Sequence, residues 1–417
     1  MLRHPLALAL TLALSAAPAL ASAEDEAPGS TAAPEKHRKQ EDLTLRALGG
    51  AFDGMGVRRY SGGLAFLQAD WKPTLRAESV EVAFPLRLDH RQTFGASLNE
   101  TIAGAGIDVD FVDGGLRHGP IAGASYTWRP NWPDLYQPDG VGGVLPTDRH
   151  SHSRWYAGWQ LWDKLGDGRH LRLKAEYVKY DYVRDPNYDP SISVVHLAPR
   201  DNGEAKVGAS FRQLFAEFGY ALRLDAFYRK YDVLLAKKAD TGGTSRSDPL
   251  ASLYGFEPRV EAEYLTKPVK VTLGYGFISE TDPFQGYYTN TGHHPYVEAK
   301  LRPMGRLSLE AKLSAKLVTY GPDSKSISSD GLGAGTYVQG TEDGKRLYDN
   351  RIEARAGARF ELTKGLFALA EASWLKRDTN YRDYVPGVFP PTATRRPYDI
   401  KWDYTNTMVT GGLEWRP

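Results

Sequence analysis

The sequence lacks cysteine, carries almost no net charge, and has no long apolar run after its first residues. The absence of cysteine excludes disulfides, zinc-thiolate sites, iron-sulfur clusters and thiol nucleophiles. The 52 Lys+Arg and 51 Asp+Glu residues leave a formal charge of +1, which gives no electrostatic basis for binding nucleic acid. From Leu43 onward no stretch approaches the roughly 18 apolar residues of a membrane-spanning helix.

What the chain does have is an excess of aromatic and turn-forming residues in a polar background. Aromatic residues make up 12% of the sequence, although hydrophobic residues reach only 41% and the mean hydropathy is -0.46. The 42 glycines and 26 prolines supply many breaks between elements. The length of 417 residues would allow two or three soluble domains, but the residue pattern favours a single closed sheet.

The first 42 residues have the pattern of a secreted protein. Arg3 and His4 precede an apolar run over 5–14, and Ala21-Ser22-Ala23 matches a signal-peptidase site, so residues 1–23 are predicted to be a signal peptide. A retained membrane anchor is the alternative, but the run is short for the hydrocarbon core. Residues 24–42 are charged and rich in Pro and Ala, which predicts a disordered tether.

From residue 43 to residue 417 the chain alternates apolar and polar residues at period two. In 307–317, leucines and alanines occupy one side, and serines, lysines and a glutamate occupy the other. Residues 351–362 show the same separation. A helix would mix these two sets, whereas a strand would separate them onto opposite faces. The pattern therefore predicts strands whose two faces meet different solvents.

The spacing of turn residues divides this region into about sixteen strands, with fourteen or eighteen left open. Short turns are predicted at Lys72-Pro73-Thr74, Asp113-Gly114-Gly115, Gly166-Asp167-Gly168, near Glu217, at Thr266-Lys267-Pro268, Pro303-Met304-Gly305 and Thr363-Lys364-Gly365. Mostly longer connections lie between them, and 191–197 could add a strand inside one. Alternating short and long connections are typical of a transmembrane antiparallel up-and-down β-barrel. The strands are predicted at 43–53, 57–71, 76–89, 98–112, 117–130, 151–163, 169–183, 203–214, 217–232, 254–266, 268–280, 289–302, 304–320, 346–362, 366–378 and 400–416.

Aromatic residues fall near the predicted strand ends, as in the interfacial girdles of a membrane barrel. Trp71, Tyr264 and Trp415 lie towards the short turns, and Trp128, Trp155 and Trp374 lie towards the long connections. A soluble propeller or solenoid is the alternative architecture. The strands are longer than those of soluble sheets, and no repeat of fixed period occurs, so the membrane barrel is favoured.

The inward face of such a barrel would be charged and wide enough for water. One interpretation is a polar conduit that sorts ions or sugars, and the other is that neighbouring strands pair their charges and stiffen the wall. Lys312, Lys316, Arg355 and Arg359 lie on adjacent strands and predict an anion-favouring patch. The predicted pore-lining residues are Arg172, Lys174, Arg212, Arg223, Asp225, Arg259, Glu261, Lys300, Glu310, Lys312, Lys316, Arg355 and Arg359.

Over residues 43–417 the chain resembles the outer-membrane β-barrel class of Gram-negative bacteria. Residues 407–417 (TMVTGGLEWRP) look like the terminal strand that the barrel-insertion machinery reads, although the final aromatic, Trp415, is followed by Arg416 and Pro417. The charge-rich inward face also resembles barrels that export polysaccharides such as alginate or poly-N-acetylglucosamine. This resemblance implies outer-membrane lipid, the insertion machinery and periplasmic export components as partners.

No residue pattern indicates an enzyme, a cofactor or a metal site. Ser151 lies between His150 and His152, but adjacent residues on a strand point to opposite faces. The pair His293-His294 lacks a carboxylate at metal-ligand spacing. The expected function is a pore for hydrophilic solutes with a secreted polysaccharide as the favoured cargo. A general diffusion porin and a closed-bore scaffold, adhesin or envelope component are the alternatives.

Overall fold

The computed structural model describes sixteen long strands that follow one another along the chain. It covers residues 38–55, 59–95, 98–130, 132–133, 146–147, 150–183, 201–235, 250–283, 288–322, 328–329, 338–341, 346–385, 398–401 and 403–417. The strands are β1 Arg38–Met55, β2 Arg59–Arg76, β3 Val80–Ala83 with Leu86–Phe94, β4 Glu100–Asp113, β5 Leu116–Trp128, β6 His152–Gly166, β7 Arg169–Tyr182, β8 Asn202–Leu214, β9 Phe218–Leu235, β10 Leu250–Thr266, β11 Val269–Thr281, β12 Asn290–Met304, β13 Leu307–Tyr320, β14 Tyr348–Thr363, β15 Leu366–Thr379 and β16 Tyr404–Trp415.

These strands form one closed antiparallel barrel. Each strand pairs with its neighbours in sequence, and β1 pairs with β16 to close the sheet, with Leu45 opposite Trp415 and Met55 opposite Thr405. Closure leaves no unpaired edge in the wall. The predicted fold class, an all-β up-and-down barrel of about sixteen strands, is confirmed.

The two ends of the barrel differ in their connections. Seven turns of two or three residues join strands at one end, here called the short-turn end, where β1 begins and β16 finishes. The opposite, long-loop end carries the longer connections, together with shorter ones at 56–58, 95–99 and 282–289. Two of the long connections contribute a four-stranded sheet of their own, Ser328–Ser329, Val338–Thr341, Tyr381–Val385 and Tyr398–Lys401.

Turn chemistry explains the tightness of the short-turn end. Between β6 and β7, Asp167 and Gly168 both have positive φ angles, 47° and 73°. A two-residue hairpin whose twist matches its strands needs this conformation at both central residues, and Asp-Gly supplies it at low cost. The predicted turn at Gly166-Asp167-Gly168 is therefore confirmed, and six of the seven predicted turns lie where the sequence places them.

The exception is the turn predicted at Lys72-Pro73-Thr74. These residues lie inside β2, which continues to Arg76, and the turn is formed by 77–79. Proline is tolerated here because β3 is interrupted opposite it, at Phe84 and Pro85, where the ladder is irregular. The Phe84 amide still donates to the Pro73 carbonyl, at 3.0 Å.

The first strand also begins earlier than predicted, at Arg38 instead of residue 43. It is extended because β2 runs on to Arg76, which lies opposite Arg38. The predicted signal peptide, the tether up to residue 37 and the extra strand at 191–197 lie outside the described residues.

Alternation along the strands separates an apolar outer surface from a polar lumen. In β13 the leucines at 313 and 317 are exposed on the outside, whereas Lys312 and Lys316 lie on the opposite face. Within the described residues, no helix is long and apolar enough to cross a membrane. Large apolar side chains are exposed all round the wall, among them Leu67, Ile107, Leu173, Val207, Leu222, Val260, Leu273, Leu313, Ile352 and Val409.

Candidate functional site

The candidate site is the lumen, and each predicted pore-lining residue lies on the inward face of its strand. Each one is next in sequence to residues that occupy the outer face, so strand geometry alone directs its side chain inward. Their role in permeation stays a prediction. They are Arg172 and Lys174 in β7, Arg212 in β8, Arg223 and Asp225 in β9, Arg259 and Glu261 in β10, Lys300 in β12, Glu310, Lys312 and Lys316 in β13, and Arg355 and Arg359 in β14.

On strands β8 to β10 the lumen charges form matched ion pairs. Arg223 donates to Glu261 at 2.9 Å, and the Tyr296 hydroxyl of β12 donates to the other oxygen of the same carboxylate. Arg259 donates to Glu257 at 2.8 Å. We call this region the paired wall; its cations are Arg212, Arg223, Arg229 and Arg259, and their carboxylate partners are Glu263, Glu261, Glu204 and Glu257.

A second cluster lies where the barrel closes. Glu414 of β16 is fully buried and contacts three guanidinium groups, those of Arg46 at 2.6 Å, Arg359 at 2.8 Å and Arg416 at 2.7 Å. We call these four residues the seam cluster. A buried carboxylate is stable only when its charge is compensated, and here the compensation comes from β1, β14 and the end of β16.

Strands β13 and β14 carry a different arrangement, here called the basic ladder: Lys312, Lys316, Arg351 and Arg355. Lys312 lies opposite Arg355 and Lys316 lies opposite Arg351 in the strand register. Both arginines have carboxylate partners within β14, Glu353 and Asp349. Neither lysine forms an ion pair with a described residue, although the Lys312 ammonium lies 5.6 Å from the centre of the Tyr296 ring.

The remaining predicted lining residues divide in the same way. Lys174 pairs with Glu176 at 2.8 Å, and Lys300 pairs with Glu298 at 3.0 Å. Arg172 and Glu310 form no ion pair among the described residues. The pairing interpretation therefore describes part of the inward charge, and the conduit interpretation stays a prediction.

In each of the four ion pairs of the paired wall, the carboxylate is more buried than its cation. The side chain of Glu261 is 5% exposed while that of its partner Arg223 is 46% exposed. For Arg229 and Glu204 the values are 31% and 4%. The pair of Arg259 with Asp225 is reversed, since the aspartate is the more exposed member. In these four pairs the guanidinium group is therefore the member more accessible from the lumen.

The predicted girdle residues lie near the strand ends on the outer face. Trp415 ends β16 and Tyr264 lies two residues before the end of β10, both at the short-turn end. Trp128 ends β5 at the long-loop end. These three and Trp155 are exposed, whereas Trp71 and Trp374 are half-buried. Their contact with the membrane interface stays a prediction.

Two inward aromatic residues, Trp162 and Tyr296, are not among the predicted lining residues. Trp155, Trp159 and Leu161 occupy odd positions on the outer face of β6, and Trp162 is therefore directed inward. The sequence signal that could have found Trp162 is a large aromatic residue at a position of the alternating pattern that is otherwise polar.

The histidine-containing motifs have structural partners. The Ser151 hydroxyl is buried and accepts a hydrogen bond from the backbone amide of Arg129 at 2.8 Å. His293 and His294 point to opposite faces of β12, because His293 bonds Tyr275 outside and His294 bonds Glu257 inside. The described part of the chain contains no group of three or more side chains able to hold a metal ion.

An edgeless sheet with an apolar outer surface and a charged lumen is the architecture of an outer-membrane β-barrel. The apolar outer face has no stable place in water, and the closed wall satisfies its own backbone hydrogen bonds in lipid. The protein is therefore an outer-membrane β-barrel.

Comparison with solved structures finds similar chains among outer-membrane proteins. The chain is similar to OccAB2 of Acinetobacter baumannii, with 10% identity and a TM-score of 0.47 over 90% of this chain and 98% of that one. It is similar to the outer membrane channel DcaP of the same organism, with 11% identity and a TM-score of 0.45 over 90% and 97%. The bacterial polysaccharide outer membrane secretin matches with 12% identity and a TM-score of 0.39 over 90% and 98%.

These values assign neither an activity nor a cargo. No protein-family model matches the chain, and no curated protein matches it.

Proposed function

We propose that the barrel is a passive channel for hydrophilic solutes that favours anions. The observation that carries the proposal is the orientation of the lumen ion pairs, with buried carboxylates and exposed cations. A charged lining attracts counter-ions and repels co-ions, and the attraction is strongest where the charge has no partner among the described residues, as at Lys312 and Lys316. The cations without partners therefore set the sign of the preference.

The favoured cargo is an acidic polysaccharide. Exposed guanidinium groups on both the paired wall and the basic ladder bind carboxylates well, since they present several donors in a planar fork. Cations distributed around the lumen would let an anionic chain exchange one contact for the next. A general diffusion porin is the second candidate, and the matched pairs of β8 to β10 favour it, because pairs that compensate each other hold no single solute tightly.

Reconstitution in a planar bilayer tests the channel. Stepwise conductance and a reversal potential that favours chloride over potassium are expected in a salt gradient. A folded, heat-modifiable barrel that gives no conductance would instead support a closed-bore scaffold, and selectivity for cations would contradict the role assigned to the lumen cations.

A vesicle uptake experiment separates the two cargo classes. Acidic oligosaccharides are expected to enter or to obstruct the channel at lower concentrations than neutral oligosaccharides of the same length. Equal behaviour of the two would favour the general porin. The proposed partners are outer-membrane lipid, the barrel-insertion machinery and an export component that docks at the short-turn end.

A further inference from the structure

A recess opens in the lumen wall at the short-turn end, between β4 and β8. Its volume is about 720 Å³. This lies within the roughly 300–1,000 Å³ range of small-molecule sites. The inward side chains that line it include Gln160, Trp162, Lys164, His170, Arg172 and Ser210.

Trp162 is the centre of the recess. The His170 ring stacks on the indole, with ring centres 6.1 Å apart and an interplanar angle of 23°. The Lys164 ammonium lies 5.7 Å from the indole centre and the Arg117 guanidinium 6.0 Å from it. These cation contacts fix the charged groups beside the aromatic surface and bring cationic and apolar groups together within one recess.

The charges of the recess are only partly compensated. Arg117 is held by Glu81 through two bonds of 2.8 and 3.1 Å. Arg212 pairs with Glu263. The acidic member of the recess, Asp110, accepts a hydrogen bond from the Gln160 amide at 3.2 Å.

Lys164 and Arg172 differ from these groups, because neither has a carboxylate partner among the described residues. Two uncompensated cations therefore lie in one recess beside an indole. A cation held close to other cations without a partner is a favourable place for an added anion.

We propose that this recess binds an acidic sugar unit, with its carboxylate at Lys164 and Arg172 and its ring beside Trp162. The Gln160 amide and the Ser210 hydroxyl would then form hydrogen bonds with the sugar hydroxyls. An inorganic oxyanion would use the cations but has no need of an aromatic surface and neutral hydrogen-bonding groups. The inference rests on the proposed channel function, because a solute reaches the recess through the lumen.

Single-channel recording with trigalacturonate as the probe tests the proposal. Lys164→Gln with Arg172→Gln is expected to weaken obstruction of the current by about tenfold or more, because two charge-assisted contacts are lost. Trp162→Leu should weaken it as well, with Trp162→Phe intermediate. The matched control is Lys267→Gln with Lys364→Gln, which removes the same charge from exposed short turns outside the recess and should leave obstruction within about twofold.

Inorganic phosphate and a neutral trisaccharide distinguish the sources of binding. A neutral trisaccharide that obstructs as strongly as trigalacturonate overturns the role of the cations. Phosphate that competes fully, together with unchanged trigalacturonate obstruction in Trp162→Leu, shows a simple anion site and overturns the sugar assignment.

Equilibrium binding in detergent separates failure of this inference from failure of the channel. Calorimetric titration of the folded barrel with trigalacturonate needs no conductance. Binding that is lost in the Lys164/Arg172 variant supports the recess even if the barrel is closed. Conductance without any such binding overturns the recess and leaves the channel in place.

Discussion

The paired wall and the basic ladder place similar residues on the same face of one barrel, yet their cations differ in how far carboxylates compensate them. Arg223 of the paired wall is held over a buried carboxylate, whereas Lys312 of the basic ladder forms no ion pair with a described residue, although Glu298 of β12 and Arg355 of β14 lie opposite it. A matched pair stiffens the wall and contributes little to the long-range field. A charge without a partner contributes little to stability and more to the field. The strand register alone does not decide which charges are paired, because Arg223 lies opposite Ser210 and Arg259, whereas Lys312 lies opposite Glu298 and Arg355.

The largest expected effect comes from moving a cation of the ladder to the other face of its strand. Leu313→Arg puts a guanidinium among exposed apolar side chains on the outside of β13. An arginine at the bilayer midplane costs about 2–4 kcal/mol. The free energy of unfolding in urea, measured in lipid vesicles, should fall by that amount. The control Lys312→Arg keeps its charge in the lumen and should match the parent protein; equal stability of both variants would show that the outer face does not meet lipid.

Removal of a buried acid comes next and tests the paired wall directly. Glu261→Gln leaves Arg223 and the Tyr296 hydroxyl without their ionic acceptor. The free energy of unfolding should fall by about 1–3 kcal/mol. Glu310→Gln, in the ladder strand, removes a carboxylate that forms no ion pair among the described residues and should cost less. A larger loss of unfolding free energy in Glu310→Gln than in Glu261→Gln would contradict the idea that the ion pairs of the paired wall stabilise the barrel.

Removal of the ladder lysines should change selectivity and leave stability almost unaltered. A unit charge about 10 Å from an ion in water contributes roughly 0.4 kcal/mol, which is about a twofold change in occupancy. Lys312→Gln with Lys316→Gln should therefore shift the ratio of anion to cation permeability towards cations by at least about twofold. The reversal potential measures this ratio, and Lys267→Gln with Lys364→Gln serves as the control. An unchanged ratio would remove the ladder from any account of permeation.

The smallest expected effect is that of salt. The Debye length falls from about 10 Å at 0.1 M to about 3 Å at 1 M, so the field of the ladder should be screened from a passing ion. The difference in permeability ratio between the parent protein and the double lysine variant should shrink across that range. Persistence of the full difference at 1 M would mean that the lysines act by direct contact.

Period-two alternation allows the strands and their faces to be predicted from the sequence. Leu313 and Lys312 are assigned to opposite faces by parity alone, and the same rule places Trp162 inside the barrel. The prediction of a turn at Lys72-Pro73-Thr74 is wrong. It relied on proline as a local strand breaker, whereas Pro73 is accommodated because the neighbouring strand β3 is interrupted opposite it.

Ion pairing could not be predicted in this way. Arg223 and Lys312 look alike in the sequence, since each is a cation at an inward position of an alternating strand. Their difference depends on which side chains reach across the strands, as those of Arg223 and Tyr296 do to Glu261. The residues directly opposite do not supply it, because Glu298 lies opposite Lys312 and forms no ion pair with it. The recess depends likewise on five strands that the chain visits between residues 100 and 214.

The seam cluster bears on how the last strand finds its alignment with the first. Backbone hydrogen bonding repeats every two residues, so β16 could slide by two positions along β1 and still keep its apolar side chains outward. Such a slip would carry Glu414 away from Arg46, its direct cross-strand partner, to a position opposite Thr44 or Leu48. The fully desolvated carboxylate would then lose a neutralising guanidinium. The pair of Arg46 and Glu414 therefore favours one register between the first and last strands over registers shifted by two residues.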